Sequence, residues 1–162
     1  GRRRTAADAA RALGRTDGEG ECLTLDAAAL GELVRRGVAR LRALGLEPAG
    51  FIPPAWLMRP GAERGVEAAG LRFTEDDRGV WRFPGGRLDS PVVRWSARTS
   101  FRAWGSVVVA AARWRLQRGA RVVRLALHPR DLSHPAVAAS LERALAAWTA
   151  ARPVGSYAAL AG

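Results

Sequence analysis

Arg124-Leu125-Ala126-Leu127-His128-Pro129-Arg130-Asp131 is an apolar run that ends on a histidine and then turns through proline into a helical segment. α/β proteins assemble their sites from side chains delivered at the carboxyl ends of strands, so this stretch sets the fold class and nominates His128 together. Upstream, Gly50-Phe51-Ile52-Pro53-Pro54-Ala55-Trp56 has the same form, a short apolar strand closed by prolines and an aromatic ring.

On either side of these two segments the pattern is alternating. Residues 6–13 read as a short Ala-rich helix, followed by the acidic glycine loop Asp17-Gly18-Glu19-Gly20-Glu21. Asp26 is placed to N-cap a long helix whose Leu30, Leu33, Val34, Val38, Leu41 and Leu44 share one face, with Gly45 ending it. Gly50 to Pro53 reads as a buried strand; Pro60 starts the next helix, Gly70 ends it, and Leu71-Arg72-Phe73-Thr74 is a further strand. Residues 76–87 alternate charge, glycine and aromatics as an excursion or a hairpin does. Pro91 to Trp95 is strand-like, 100–117 helical and Arg121 to Leu127 a strand. A last helix runs from Pro135 to about Ala151, with Val137, Leu141, Leu145 and Trp148 on one face. The order α, β, α, β, β, α, β, α predicts an α/β fold with a mostly parallel sheet or a piece of a barrel. Strands 50–53 and 121–127 are expected in one such sheet, with helices on one side and an exposed edge.

The chain has 162 residues, 48% of them hydrophobic, which suits one domain with a real core: a short helix and acidic loop over 1–25, then an α/β portion over 26–162. No apolar run reaches the eighteen or so residues that span a bilayer, and the first residues lack the apolar segment of a signal peptide. Cys22 is the only cysteine and has no internal disulfide partner, which favours the cytoplasm. Every one of the 26 basic residues is Arg, with no Lys or Asn, so the net charge of +11 is partly a codon outcome of a GC-rich genome. Residues 1–89 hold 15 Arg against 13 acids, whereas 90–162 hold 11 Arg against only Asp131 and Glu142. The second half would attract an anionic polymer or acidic partner, but solvated helix faces are the favoured reading, and no nucleic-acid-binding fingerprint is present.

Gly50-Phe51-Ile52-Pro53-Pro54-Ala55-Trp56, the helix from Pro60, Gly70 to Thr74, and Leu125-Ala126-Leu127-His128-Pro129 with Asp131 together resemble the polysaccharide deacetylase (NodB-homology) superfamily, in particular a poorly characterised bacterial branch of it. The likeness covers residues from about 17 to 157. It implies the C-terminal part of a distorted (β/α) barrel of the glycoside hydrolase/deacetylase type, whose members remove acetyl groups from sugars with a divalent metal, zinc or similar. The family's metal ligands, an early aspartate and a His-x-x-x-His pair, are absent from these residues and are expected upstream of Gly1. The resemblance therefore implies a partial catalytic domain, active in a longer protein and without turnover on its own.

Carried over residue by residue, the resemblance makes His128 the general acid toward the leaving amine or alkoxide, a task suited to imidazole because that group exchanges protons near neutrality. Asp131 either orients that imidazole or caps the helix that follows. Phe51, Pro53, Pro54 and Trp56 match the family's proline-containing substrate wall, where Trp56 offers a flat face for a sugar ring. The family's usual arginine in that motif is here Ile52. Trp95 matches a tryptophan lining the acetyl pocket, with core packing as its other reading, and the aspartate that normally precedes it is Arg94. His134 reads as a helix-start residue rather than a ligand, Glu19 and Glu21 as an exposed acidic turn, with a role near the metal as the other reading the resemblance implies, and Trp81, Trp104, Trp114 and Trp148 as core or barrel exterior.

Two functions follow. The first is a metal-dependent hydrolase acting on an acylated carbohydrate or related amide or ester. The second is a non-catalytic α/β binding module whose basic face holds an anionic glycan or nucleic acid. The hydrolase reading carries a geometric expectation: His128 and Trp56, 72 positions apart, open onto one cavity at the carboxyl ends of their strands.

Overall fold

The computed structural model describes residues 20–97 and 100–162, with the side chains of 100–102 left aside. The expected helix over 6–13 and most of the acidic loop, Glu19 included, lie outside the described residues. The chain divides into two compact units, one running to Leu88 and taking in Ser156–Gly162, the other spanning Asp89–Gly155.

The first unit is built on helix α1 (Ala27–Ala43), whose N-cap Asp26 accepts the Ala29 N–H at 2.9 Å. A carboxylate there satisfies one of the amides that a helix start leaves without a partner. The buried line is Leu30, Val34 and Val38 with Gly31 beside it, narrower than the sequence pattern proposes: Leu33 and Leu41 are exposed, and Leu44 is 76% exposed. Helix α2 (Glu63–Ala68) accounts for the difference. A Cβ built on Gly31 would stand 2.9 Å from the Gly65 carbonyl oxygen, and one on Gly65 would collide with the Ala27 carbonyl. Two glycines let the backbones meet where a larger residue would hold them apart, and Leu30, Val34, Val38, Ala62, Val66, Leu71 and Cys22 close around that contact. Burial, with Glu21 adding a smaller push, raises the Cys22 thiol above its ordinary pKa.

Helix α2 begins three residues later than Pro60 proposes, because Gly61 is left-handed with φ 87° and a helix cannot run through it. The helix is the crossover of a βαβ unit: β1 (Gly50–Phe51) precedes it, β2 (Phe73–Glu75) follows it, and the two pair in parallel with Gly50 opposite Phe73 and Phe51 opposite Thr74. Asp76 then turns the chain, its carboxylate accepting the Arg78 and Gly79 N–H groups at 2.8 and 2.9 Å. Strand β3 (Gly79–Arg82) returns antiparallel to β2, and β4 (Gly86–Asp89) completes a sheet of order β1-β2-β3-β4.

The second unit repeats the βαβ plan. Strand β5 (Val92–Arg94), helix α3 (Ser100–Leu116) and strand β6 (Arg124–Ala126) give a parallel pair with Val92 opposite Arg124 and Arg94 opposite Ala126. Buried Arg124 ties the amino ends together, its Nε donating to the Ser90 carbonyl at 2.9 Å. Helix α4 (Pro135–Thr149) contributes Val137, Leu141 and Trp148 to a core that also holds Val93, Trp95, Ala103 and Ala110. Leu145, expected on the same face, is exposed. Trp104 is exposed as well.

The protein is therefore a mixed α/β structure with parallel strand pairs and helices. The strand pairing differs from the expected one. Strands 50–53 and 121–127 do not share a sheet: β1 pairs with β2, while β6 pairs with β5 in a separate two-stranded sheet. Each parallel pair is closed by its own crossover helix, and β3 takes the second edge of β2, so the hairpin occupies a position a parallel neighbour would need. Both sheets are open, and the described residues form no closed barrel. A short helix that the pattern does not foresee, α5 (Tyr157–Ala161), lies in the first unit and stacks Tyr157 on Phe73 with centroids 5.2 Å apart. No helix of the described residues is long and apolar enough to cross a membrane.

Candidate functional site

In the second unit the parallel direction of β5 and β6 brings Trp95-Ser96-Ala97 and Leu127-His128 to one rim. Asp131 fastens that rim. It is 3% exposed; its Oδ2 accepts the His128 N–H at 2.8 Å and its Oδ1 accepts the Ala97 N–H at 2.8 Å. The Asp131 N–H in turn donates to the His128 carbonyl at 2.8 Å, closing the short 3-10 turn Pro129–Ser133. Between the two readings of Asp131, the geometry is that of a cap. It caps the 129–133 turn rather than α4, and both carboxylate oxygens receive backbone amides rather than the imidazole. His128 itself is exposed in an extended conformation at the start of that turn. Its N–H and its carbonyl are both bonded to Asp131 while the residue stays exposed, an arrangement in which an imidazole can meet a ligand without disturbing the fold.

Trp95 lies at the same rim but points inward. It is 5% exposed, packs with the second unit's core, and donates its indole N–H to Ser140 Oγ at 3.1 Å. A buried tryptophan with a satisfied N–H packs as core, which is the second of the two readings given to Trp95.

The proline-rich segment belongs to the first unit, so His128 and Trp56 fall in different units. Phe51 is half-buried and packs against the Leu30–Val66 core, which makes it as much core as wall. Pro53 is buried and extended, with φ −67° and ψ 145°, and Pro54 is exposed. Past them the chain does something its sequence does not announce: Ala55 and Trp56 are both left-handed, with φ 54° and 59°. For residues with a Cβ that region costs about 1–2 kcal/mol apiece, and it persists only where the surroundings hold it. The holding contacts are visible. The Trp56 and Leu57 N–H groups bond back to the Pro53 and Pro54 carbonyls at 2.9 and 3.1 Å, and the Trp56 indole N–H donates to Glu75 Oε1 at 2.7 Å.

Glu75, the acceptor of that bond, is a residue that the sequence pattern leaves out. It ends β2, is 1% exposed, and lies beside Thr74, whose hydroxyl donates to the Phe51 carbonyl at 2.7 Å. The rule that draws attention to His128, a polar residue terminating an apolar strand, applies equally to Phe73-Thr74-Glu75. Ending the strand at Thr74 hides it.

Glu21 is exposed and its carboxylate accepts the Gly20 N–H at 3.2 Å, as expected of an acidic turn. His134 is half-buried at the start of α4. Among the described residues no three His, Cys, Asp or Glu side chains are grouped so as to hold a metal ion. No family model matches the chain, and no curated protein or solved structure matches it.

Proposed function

We propose that these residues are the C-terminal part of a polysaccharide-deacetylase-like hydrolase that removes an acyl group from a sugar or a related amide or ester, within a distorted (β/α) barrel. The observation that carries this reading is the placement of His128: exposed, at the carboxyl end of a parallel strand, on a backbone fixed by a buried carboxylate. His128 acts as general acid, giving its proton to the leaving nitrogen or oxygen as the tetrahedral intermediate collapses. Asp131 keeps the rim in place. Taken by itself, the first unit offers in Phe51, Pro54 and Trp56 a wall suited to a sugar ring. The divalent metal, zinc or similar, that such hydrolases use to activate water finds no ligand set among the described residues.

The test uses the natural gene product that contains these 162 residues, assayed with zinc on N-acetylated chito-oligosaccharides and aryl acetates. His128→Ala should lower kcat by about 10²- to 10⁴-fold and leave the circular dichroism and unfolding midpoint unchanged. Trp56→Ala should act mainly on KM, because stacking holds ground state and transition state about equally. A His128→Ala protein with unchanged kcat would remove the catalytic assignment. Saturable binding of an anionic glycan without any turnover would establish the binding module in its place.

A further inference from the structure

Resting on that reading of the proline-rich wall, we infer that Glu75 is a positioning residue: it clamps the Trp56 indole in one orientation and so presets the surface on which a sugar ring stacks. The backbone makes such a clamp necessary. Ala55 and Trp56 adopt left-handed φ values that their side chains disfavour, directly after two prolines that stiffen the approach. A ring on such a segment is held only if something fixes its far end. Glu75 does so from the adjacent strand, 19 positions away, through a 2.7 Å hydrogen bond from the indole N–H.

The chemistry of the partner matters. An indole N–H can only donate, and a carboxylate is the strongest acceptor a side chain provides. Glu75 is almost wholly buried at the end of β2, where Phe51 and Thr74 are register partners, so its own position is set by the sheet. The clamp therefore transmits the rigidity of β2 to a ring that projects from an irregular turn. Trp56 remains half-buried, with surface left to offer. Stacking a pyranose ring on tryptophan demands one ring plane, and a preset plane removes the cost of ordering the side chain when the ligand arrives.

The test compares Glu75→Gln, which keeps an acceptor oxygen, with Glu75→Leu, which removes it, in the intact gene product. Two readouts are used. In 15N-labelled protein the indole resonance that disappears in Trp56→Phe identifies the Trp56 N–H, which should exchange slowly in the wild type. Glu75→Gln should shift it modestly; Glu75→Leu should move it upfield and speed its exchange. With tetra-N-acetylchitotetraose as substrate, Glu75→Leu should raise KM about tenfold with kcat within about twofold, and Glu75→Gln should restore KM to within about threefold. A merely structural role would lower the yield of folded protein without splitting KM from kcat. Fast exchange of the wild-type Trp56 indole overturns the clamp even if Glu75→Leu fails to fold. Glu75→Leu with an unmoved resonance or wild-type KM, or a folded Glu75→Gln as impaired as Glu75→Leu, overturns it too. Should the wild type turn over no acylated sugar, the hydrolase reading fails on its own while the indole exchange still decides the clamp.

Discussion

The two units solve the same problem by different means. Each packs helices on a parallel strand pair closed by a βαβ crossover, but the first does so by letting two helix backbones touch and the second by fitting large rings against small residues. Gly31 and Gly65 bring α1 onto α2, and the core that follows is aliphatic. In the second unit Trp95 and Trp148 lie among Ala103, Ala110, Val137 and Leu141, with Trp114 5.6 Å from Trp148. The same contrast holds at the strand ends. A buried carboxylate stands at each rim, yet Glu75 receives an indole whereas Asp131 receives two backbone amides. The difference shows what each carboxylate is for: one sets the direction of a side chain, the other the course of the chain beneath an exposed histidine.

The largest expected effect breaks the first unit's packing. Gly65→Ala places a methyl against the Ala27 carbonyl, and the atom it meets is backbone, so no rotamer change relieves it. Overpacking usually costs about 1–3 kcal/mol. Here the helices must separate, and a loss of about 4 kcal/mol is expected, read as a fall in the urea midpoint. Gly37→Ala on the same α1, where the new methyl meets nothing within 4 Å, is the control and should be neutral or stabilising. Equal losses from both would show that the close approach is not what holds α1 to α2.

Asp131→Ala is next. It leaves two rim amides, those of Ala97 and His128, without their acceptor, and an unsatisfied buried donor costs about 1–3 kcal/mol. A total of about 2–3 kcal/mol is expected, since the loosened rim admits some water. Asp131→Asn retains one acceptor oxygen and should lose about half as much. If Asp131→Ala unfolds at the wild-type midpoint, the rim is not held by this carboxylate and the fixed backbone under His128 loses its support.

How far the sequence foretells these features follows from the range of the forces involved. Helices are legible because their signals are local: Asp26, Gly45, Gly70 and Pro135 mark boundaries found within a few residues of where they are expected. The burial pattern within α1 is less legible, since Leu33 and Leu41 share the hydrophobic period with Val34 and Val38, and only the arrival of α2 decides which side is covered. Of the strand pairing only the hairpin reading of 76–87 is legible, where β3 and β4 fall side by side; the partners of strands 50–53 and 121–127 are not. With strands of two to four residues there is too little alternation to choose between a parallel neighbour and the antiparallel hairpin that β3 supplies. His128 is legible from its strand-terminal position. Glu75 carries the same signal, and the left-handed turn at Ala55 and Trp56 carries none, because neither residue type announces a positive φ.

The smallest effect compares one methyl group in the two units. Ala110→Gly removes a buried methyl from α3 and adds the helical penalty of glycine, for a combined loss of about 1–2 kcal/mol. Ala55→Gly removes a methyl too, one that packs partly against Leu23 and Leu57. It also gives the unfolded chain the freedom of glycine, which opposes folding by roughly 0.5–1 kcal/mol. Against those losses stands relief of the left-handed conformation at φ 54°, which favours glycine by about 1–2 kcal/mol. The terms nearly cancel, so Ala55→Gly should move stability by no more than about 0.5 kcal/mol while Ala110→Gly costs clearly more. Paired urea titrations read the difference directly. A loss at Ala55 as large as that at Ala110 would mean that the turn carries no strain, and that Trp56 sits where it does without needing the hydrogen bond to Glu75 to keep it there.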